Sequence, residues 1–394
     1  MKRSVLLRIA VRHLASLPFQ TFSVIAVVAF SSGLAVALFL LAQGLRLGVI
    51  RAVEPFELIV GARGSPYQLV LNTVFLQDAP VGNLSRDFLE RLSQDSRIRL
   101  AVPLALGDFY RGLPVIGTAG NILEIRPSPA SPLWLRPARG RWWEKDFEAV
   151  LGAGAAGESG LEIGDIFRTA HGTSLGAAWG GAQGHERDFR VVGVAEPVHG
   201  PYDRAIFVSL ESIWEEHAGH AGEVTAILAY PASYTAAYSL DVSLRRDAQG
   251  QLIFPAQTAI RLFALLGRGE EFLSVIVFAV AACALLTTLL ILYWSAATRG
   301  KERALLHALG VPRGDLVFLS WLEGALTLLA GALAGGLLGR AGAFAAFAAL
   351  GEATAMDSHV PLTPQEGAVP FILLSIGSLG VFLAAMAEKT YDLT

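Results

Sequence analysis

Thiol chemistry is nearly absent from this 394-residue chain, which has a single cysteine, Cys283, and three methionines. One thiol cannot close an internal disulfide, so a domain facing an oxidising compartment must be held by its own core. Charge is scarce too: Asp, Glu, Lys and Arg make up 16% of the residues, with a net charge of −3. That weakly acidic balance offers no footprint for nucleic acid. The sequence also lacks a G-x-x-x-x-G-K-[ST] phosphate loop and an H-E-x-x-H helix, and no Ser/His/Asp arrangement in it has a recognisable strand-to-helix elbow. Neither ATP hydrolysis by this chain nor membrane proteolysis has a motif to rest on. In place of charge there is apolar sequence, 53% of the residues, more than an ordinary soluble domain carries.

The apolar residues gather in four stretches. Leu14–Leu45 and Phe272–Thr298 have no formal charge, Leu316–Gly339 is interrupted only by Glu323, and Gly367–Ala387 is uncharged. Each exceeds the roughly 20 residues that cross a bilayer as a helix. Their order predicts four transmembrane α-helices in a 1 + 3 arrangement, with a large mixed α/β extracytoplasmic domain inserted between helices 1 and 2. Lys2, Arg3, Arg8 and Arg12 precede the first stretch, and Arg299, Lys301, Arg303 and Arg313 lie between the second and third. The connection 351–366 has no Lys or Arg. Excess basic residues mark the cytoplasmic side, so both termini are expected inside and the large domain outside, in the periplasm of an inner-membrane protein. The first stretch is too long for a signal peptide and reads as a retained anchor.

The expected divisions are a cytoplasmic amphipathic helix at 1–20, span 1 at 21–50, the outer domain at 51–256, and a stalk with span 2 at 257–298. A cytoplasmic coupling helix at 299–313, span 3 at 315–340, an outer loop at 351–366 and span 4 at 367–388 complete the chain. About 200 residues are enough for the outer domain to bury a core. Arg86–Gln94 reads as an amphipathic helix with Phe88, Leu89 and Leu92 on one side. Strand-like runs are expected at Leu100–Leu106, Pro114–Gly117, Phe189–Val194, Ala205–Ser209 and Val224–Tyr230. Val60–Gln68 reads as a Gly/Pro turn, His171–Gly184 as a loop, and Gln257–Glu271 as a stalk helix with Ile260, Phe263 and Leu266 on its apolar face.

The segment after the second apolar stretch is the most specific part of the sequence. Glu302 and Arg303 face water, Ala304, Leu305, Ala308 and Leu309 form an apolar stripe, and Gly310 ends the helix as its cap. A short helix between two spans suits a groove on a cytoplasmic partner, or serves as a plain connector. Arg299, Glu302, Ala304, Leu306, Ala308, Leu309 and Gly310 resemble, in register, the R-x-x-E-x-A-x-L-x-A-L-G coupling motif of ABC transporter permeases of the MacB/FtsX type. Ala10–Leu14 resembles that family's basic helix before the first span. Val150–Gly152 with Leu161–Asp165, and then Phe189–Val194, resemble recurring parts of its outer domain. Glu323 and Gly324 with Gly331, Gly335 and Gly339 resemble its third span.

The resemblance implies a half-transporter that is not itself an enzyme. Two copies would pair, as a homodimer in the simplest case, each seating its coupling helix on a dimeric cytoplasmic ABC ATPase subunit. That partner would bind ATP and Mg, and this chain would bind no cofactor. ATP-driven closure would move the outer domains, to export or shift an amphipathic or membrane-attached substrate. The alternative is mechanotransmission, regulating an extracytoplasmic enzyme or periplasmic partner without transport.

Gly331, Gly335 and Gly339 recur every four residues and form a helix-packing face. Glu323, an intramembrane charge, reads either as a proton or cation site or as the partner of a basic residue at the cytoplasmic end. Gly152, Gly154 and Gly157 match G-x-G-x-x-G, but no strand–turn–helix frame is evident around them. His185, His199, His217 and His220 read as scattered surface histidines, and no metal ligands are assigned. Trp134, Trp142 and Trp143 flank Arg136, Arg139 and Arg141, as a binding face or as a loop packing its own aromatics.

Overall fold

The computed structural model describes residues 3–128, 130–171, 184–262 and 305–354, with isolated positions between 275 and 290 and between 375 and 382. Most of the second and fourth apolar stretches therefore lies outside the described residues, as do residues 172–183 and 299–304. The chain divides into two compact units. One comprises Met1–Gly44, Arg268–Ala348 and Ser358–Thr394, and the other Leu45–Gly267 with Ala349–Asp357.

In the first unit, helix α1 (Arg3–Ser16) stops at Leu17, and Pro18 opens α2 (Pro18–Val53). Proline suits the first helical position, where its missing N–H is not needed. A second long helix, α8, runs Arg313–Thr354. Both α2 and α8 contain a segment long and apolar enough to cross a membrane.

The second unit is built on a mixed sheet. Its strands are β1 (Leu58–Ala62), β2 (Ile98–Tyr110), β3 (Leu113–Thr118), β4 (Pro137–Gly140), β5 (Glu148–Leu151) and β6 (Ile166–Phe167). They continue with β7 (Ala170–His171), β8 (Phe189–Ala195), β9 (Ile206–Ser209), β10 (Ala226–Pro231) and β11 (Gly250–Ile253). The order is β11-β1-β10-β2-β3-β9-β5-β8-β4, with β6 on β8 and β7 on β2. Pairs β3–β9 and β5–β8 are parallel and the rest antiparallel. The five expected strand runs all lie in this sheet, and β2 extends further than its run.

Period-two alternation divides the strands between two cores. Ile59, Val102, Leu104, Ile116, Val150, Phe207 and Leu228 enter one, together with Val49, Ala52 and Val53 from the end of α2. Leu58, Val60, Val115, Leu151, Ile206, Val208 and Ile227 enter the other, under α4 (Arg86–Ser93). Successive strand residues face opposite sides, so a sheet covered on both faces needs apolar residues at every position. On α4, Phe88 and Leu92 are buried and Ser85 caps the N-terminus through the N–H of Phe88.

Three local expectations are corrected. Val60–Gln68 is not one turn: its first residues belong to β1, and α3 (Pro66–Thr73) begins at Pro66 after the Ser65 cap. Gly61 pairs with Ala226 and Gln251 in the sheet, and a Cβ there would overlap the Leu69 side chain, 2.5 Å away. The helix over 255–262 buries Thr258 and Ala259 and leaves Ile260 66% exposed, one position off the expected stripe. Finally, β5, Gly152 and α5 (Ala153–Ser159) do form a strand–turn–helix frame. The space a phosphate would need is filled, because the carbonyls of Tyr202 and Asp203 close over Gly152. The three tryptophans also pack inward: Trp134 lies 5.3 Å from Phe56 and 4.8 Å from Tyr202, and Trp142 lies 5.9 Å from Phe207.

Arg141 closes a bidentate pair on Glu148, at 2.7 and 2.6 Å. These hydrogen bonds, opposed by burial and aided by the N–H groups of Glu144 and Lys145, lower the Glu148 carboxyl to about 2. A carboxyl lowered on folding stabilises fully above its ordinary value of 4.5, and that stability disappears as pH falls towards about 2. Glu148→Gln is expected to lower the thermal midpoint at pH 7, with the gap to wild type closing as pH falls from 5 to 2.5. A gap independent of pH would contradict this account. Gly152→Ala should displace the Tyr202–Asp203 backbone and cost about 2 kcal/mol. Gly157→Ala, with nothing within 4 Å of the new carbon among the described residues, should cost nothing in the same melting experiment.

Candidate functional site

The first unit is organised by the contact between α2 and α8. A Cβ on Gly331 would meet Val28 and the carbonyl of Ile25, and one on Gly335 would overlap Ser32 and the carbonyl of Ala29. Gly339 lies against the Gly33 backbone, and a Cβ on Gly33 would stand 3.0 Å from the Gly335 carbonyl. Further along, Val36 and Leu40 pack with Ala343, and Gly44 faces the Phe347 ring. Residue numbers rise together on the two helices, so they run parallel. The glycines matter because only a missing Cβ lets two backbones approach this closely.

At the other end of this seam, α1 lays Leu6 and Ala10 on Leu319. One turn beyond, His13 Nδ1 lies 2.8 Å from Glu323 Oε1, and Glu323 is 8% exposed. A carboxylate in an apolar helix is costly unless it faces a partner or water, and α1 brings the partner. The Glu323 carbonyl also accepts from Thr327 Oγ1 at 3.1 Å. His13 had carried no site role in the sequence reading; the signal that could have found it is the lone carboxylate in an otherwise apolar run.

Of the coupling segment, Arg299, Glu302, Arg303 and Ala304 lie outside the described residues. Residues 305–308 are helical, and Gly310 has φ +93°, in the left-handed region glycine favours. The Gly310 N–H donates to His307 O at 2.9 Å and the Val311 N–H to Leu306 O at 3.1 Å, closing the helix end. Ala308 is exposed, and Leu305 and Leu309 are 62% and 75% exposed.

Residues 274–393 match the family model described as the FtsX-like permease C-terminal region. Over those residues the chain is similar to the C-terminal region of FtsX-like permeases. The match takes in the 299–310 segment, Glu323 and the three seam glycines of α8. No curated protein matches the chain. Among solved structures, the periplasmic region of MacB from Actinobacillus actinomycetemcomitans is 12% identical with a TM-score of 0.35, over 54% of this chain and 97% of that one. The extracellular domain of the noncanonic ABC-type transporter YknZ from Gram-positive bacteria is 12% identical with a TM-score of 0.32, over 50% of this chain and 98% of that one.

In the second unit, the histidines are not all scattered. His171, His185 and His217 converge on Asp108, with Nδ1 of His171 at 3.0 Å and Nε2 of His185 at 3.4 Å from Oδ1. Nε2 of His217 stands 2.9 Å from Oδ2. Asp108 is 4% exposed, just beyond a bulge in β2 where Gly107 takes φ +135°. Burial pushes its carboxyl up, but hydrogen bonds with His185 and His217 outweigh that and bring it to about 2. His220 pairs with Glu223 instead, and His199 is exposed at the Val198–Gly200 turn. Sequence spacing could not reveal the cluster, because positions 108, 171, 185 and 217 share no period and meet only through the sheet.

Gly335→Leu should force α2 and α8 apart and lower the thermal midpoint in detergent by several degrees. Gly336→Leu, at a position where a Cβ meets nothing within 4 Å among the described residues, should leave it unchanged. His13→Ala should also destabilise, by about 1–3 kcal/mol for a buried carboxylate deprived of a partner. Equal midpoints for Gly335→Leu and Gly336→Leu would contradict the seam.

Proposed function

We propose that this chain is the transmembrane subunit of an ABC transporter complex, transmitting ATP-driven closure of a separate cytoplasmic ATPase to its outer domain. The observation that carries the reading is the exposed apolar end of the 299–310 segment, within the region that matches FtsX-like permeases. Leu305, Ala308 and Leu309 present apolar surface to solvent beside a glycine-capped end. Such a short, rigid helix can seat in a groove and transmit force along its axis. Arg299, Glu302 and Arg303 supply the charges that would fix its register there.

In this reading the chain has four spans, at 21–50, within 257–298, at 315–340 and at 367–388, with residues 51–256 in the periplasm. The parallel run of α2 and α8 supports it, since the first and third spans of such a topology both leave the cytoplasm. Two copies pair, and ATP and Mg stay in the partner. The substrate is amphipathic or membrane-attached. A purely mechanical regulator of an outer enzyme would use the same coupling and differs only in moving no substrate.

The test is co-expression with the cognate cytoplasmic ATPase, followed by copurification and ATPase assay. Glu302→Ala and Gly310→Pro are the informative variants. Proline cannot adopt φ +93° and has no N–H for His307, so the helix end should be lost. Both variants are expected to lose the ATPase subunit on purification, or at least about tenfold of its stimulated activity. Wild-type assembly and activity in both would sink the coupling assignment.

A further inference from the structure

We infer that Asp108, His171, His185 and His217 form a binding site for a divalent transition-metal ion of the zinc class. The first support is the donor set. One ligand atom from each residue lies within 4.8 Å of the other three, and the distances to Asp108 are 2.9–3.4 Å. Four donors bound to one tetrahedral ion at about 2.0–2.2 Å stand roughly 3.3–3.6 Å from one another. The cluster therefore closes around an ion through small side-chain shifts.

The second support is redundancy. A single imidazole would suffice to pair one buried carboxylate, yet three rings crowd it with centroids 4.4, 4.4 and 4.8 Å apart. Like-charged imidazoliums at that separation repel, whereas three neutral rings around a cation do not.

The third is the surrounding charge. Glu216 stands beside the cluster, with Oε2 3.1 Å from the Thr169 hydroxyl. Its Oε1 is buried without a hydrogen-bond partner among the described residues. Among the described residues no Lys or Arg forms an ion pair with Asp108 or Glu216. Two carboxylates with no permanently charged Lys or Arg beside them make a cavity that favours a cation.

The backbone holds the donors in place. Asp108 and His171 are cross-strand partners on β2 and β7. The His185 N–H donates to Thr169 O at 2.9 Å, and the His217 N–H donates to Ile213 O at 3.0 Å, at the end of α6 (Leu210–Glu216). A cavity of about 160 Å³, bordered by Asp108, His171 and His217, gives an ion access. Imidazole nitrogens with one carboxylate suit zinc, cobalt, nickel or copper; calcium and magnesium prefer oxygen throughout. Four protein donors complete a tetrahedral shell, so the ion would be held rather than present an open position for hydrolysis. None of this depends on the ATPase partner.

The test uses the full chain, purified in detergent without a histidine tag and stripped with a chelator, then titrated with Zn²⁺ and separately with Co²⁺. About one Zn²⁺ per chain is expected, and Co²⁺ should give the intense visible bands of a tetrahedral site. His171→Gln/His217→Gln should lose the bands and weaken Zn²⁺ binding by well over tenfold, while His199→Gln should keep both. Melting of the metal-free variants separates loss of binding from loss of fold. If the double variant does not fold, the half-exposed His171→Gln alone should weaken binding about tenfold. Zn²⁺ binding unchanged in the variants, or absent from wild type, would reduce the cluster to a hydrogen-bond network and overturn the assignment. An equal response to Mg²⁺ or Ca²⁺ would overturn the ion class.

Discussion

Close backbone contact between α2 and α8, made where Gly33 meets Gly335 and Gly339, is the constraint on which the first unit depends. Apolar side chains gain little by leaving lipid for one another, so helices in a bilayer associate through tight packing and a few polar contacts. The glycine face provides the packing, and His13–Glu323 provides a polar contact at one end. Because α1 supplies His13, the buried carboxylate ties the amphipathic helix to α8. The contact gives the acid a structural partner on another helix.

The second unit solves a different problem. Its sheet is covered on both faces, and several of the polar groups taken inside are satisfied locally. The hydroxyls of Tyr202 and Tyr230 donate to the carbonyls of Thr73 and Pro55, each at 2.7 Å. Burial accordingly pushes both phenols up from their ordinary value. Asp108 follows the same rule with three histidines in place of a carbonyl. Without disulfides, these buried hydrogen bonds add specificity to the apolar core, since an unmade one would cost more than a made one contributes.

Function draws on both kinds of order. The proposed transmission of force would need rigid elements joined to a docking surface, and α8 begins soon after the capped turn at Gly310. The exposed leucines before that turn are costly for a solvated connector and useful for a partner's groove. Most of the charge that would direct docking belongs to residues 299–303.

Much of this was legible in the sequence. The absence of charge over stretches of more than 20 residues requires a membrane or a deep core. Short apolar, strand-like runs marked the strands between Leu100 and Tyr230, and a four-residue glycine period marked the face of α8 that packs. These signals are local, written in the spacing of one segment. The sequence left undecided which element would cover each one. It placed Gly61 in a turn and Ile260 on the apolar face of a stalk helix, because only the pairing of β1 and the core around Ala259 distinguish the alternatives. Pairing His13 with Glu323 across 310 positions, and gathering three histidines on Asp108, required the tertiary fold. Such contacts depend on helix crossing and strand register, which no periodicity within a single segment encodes.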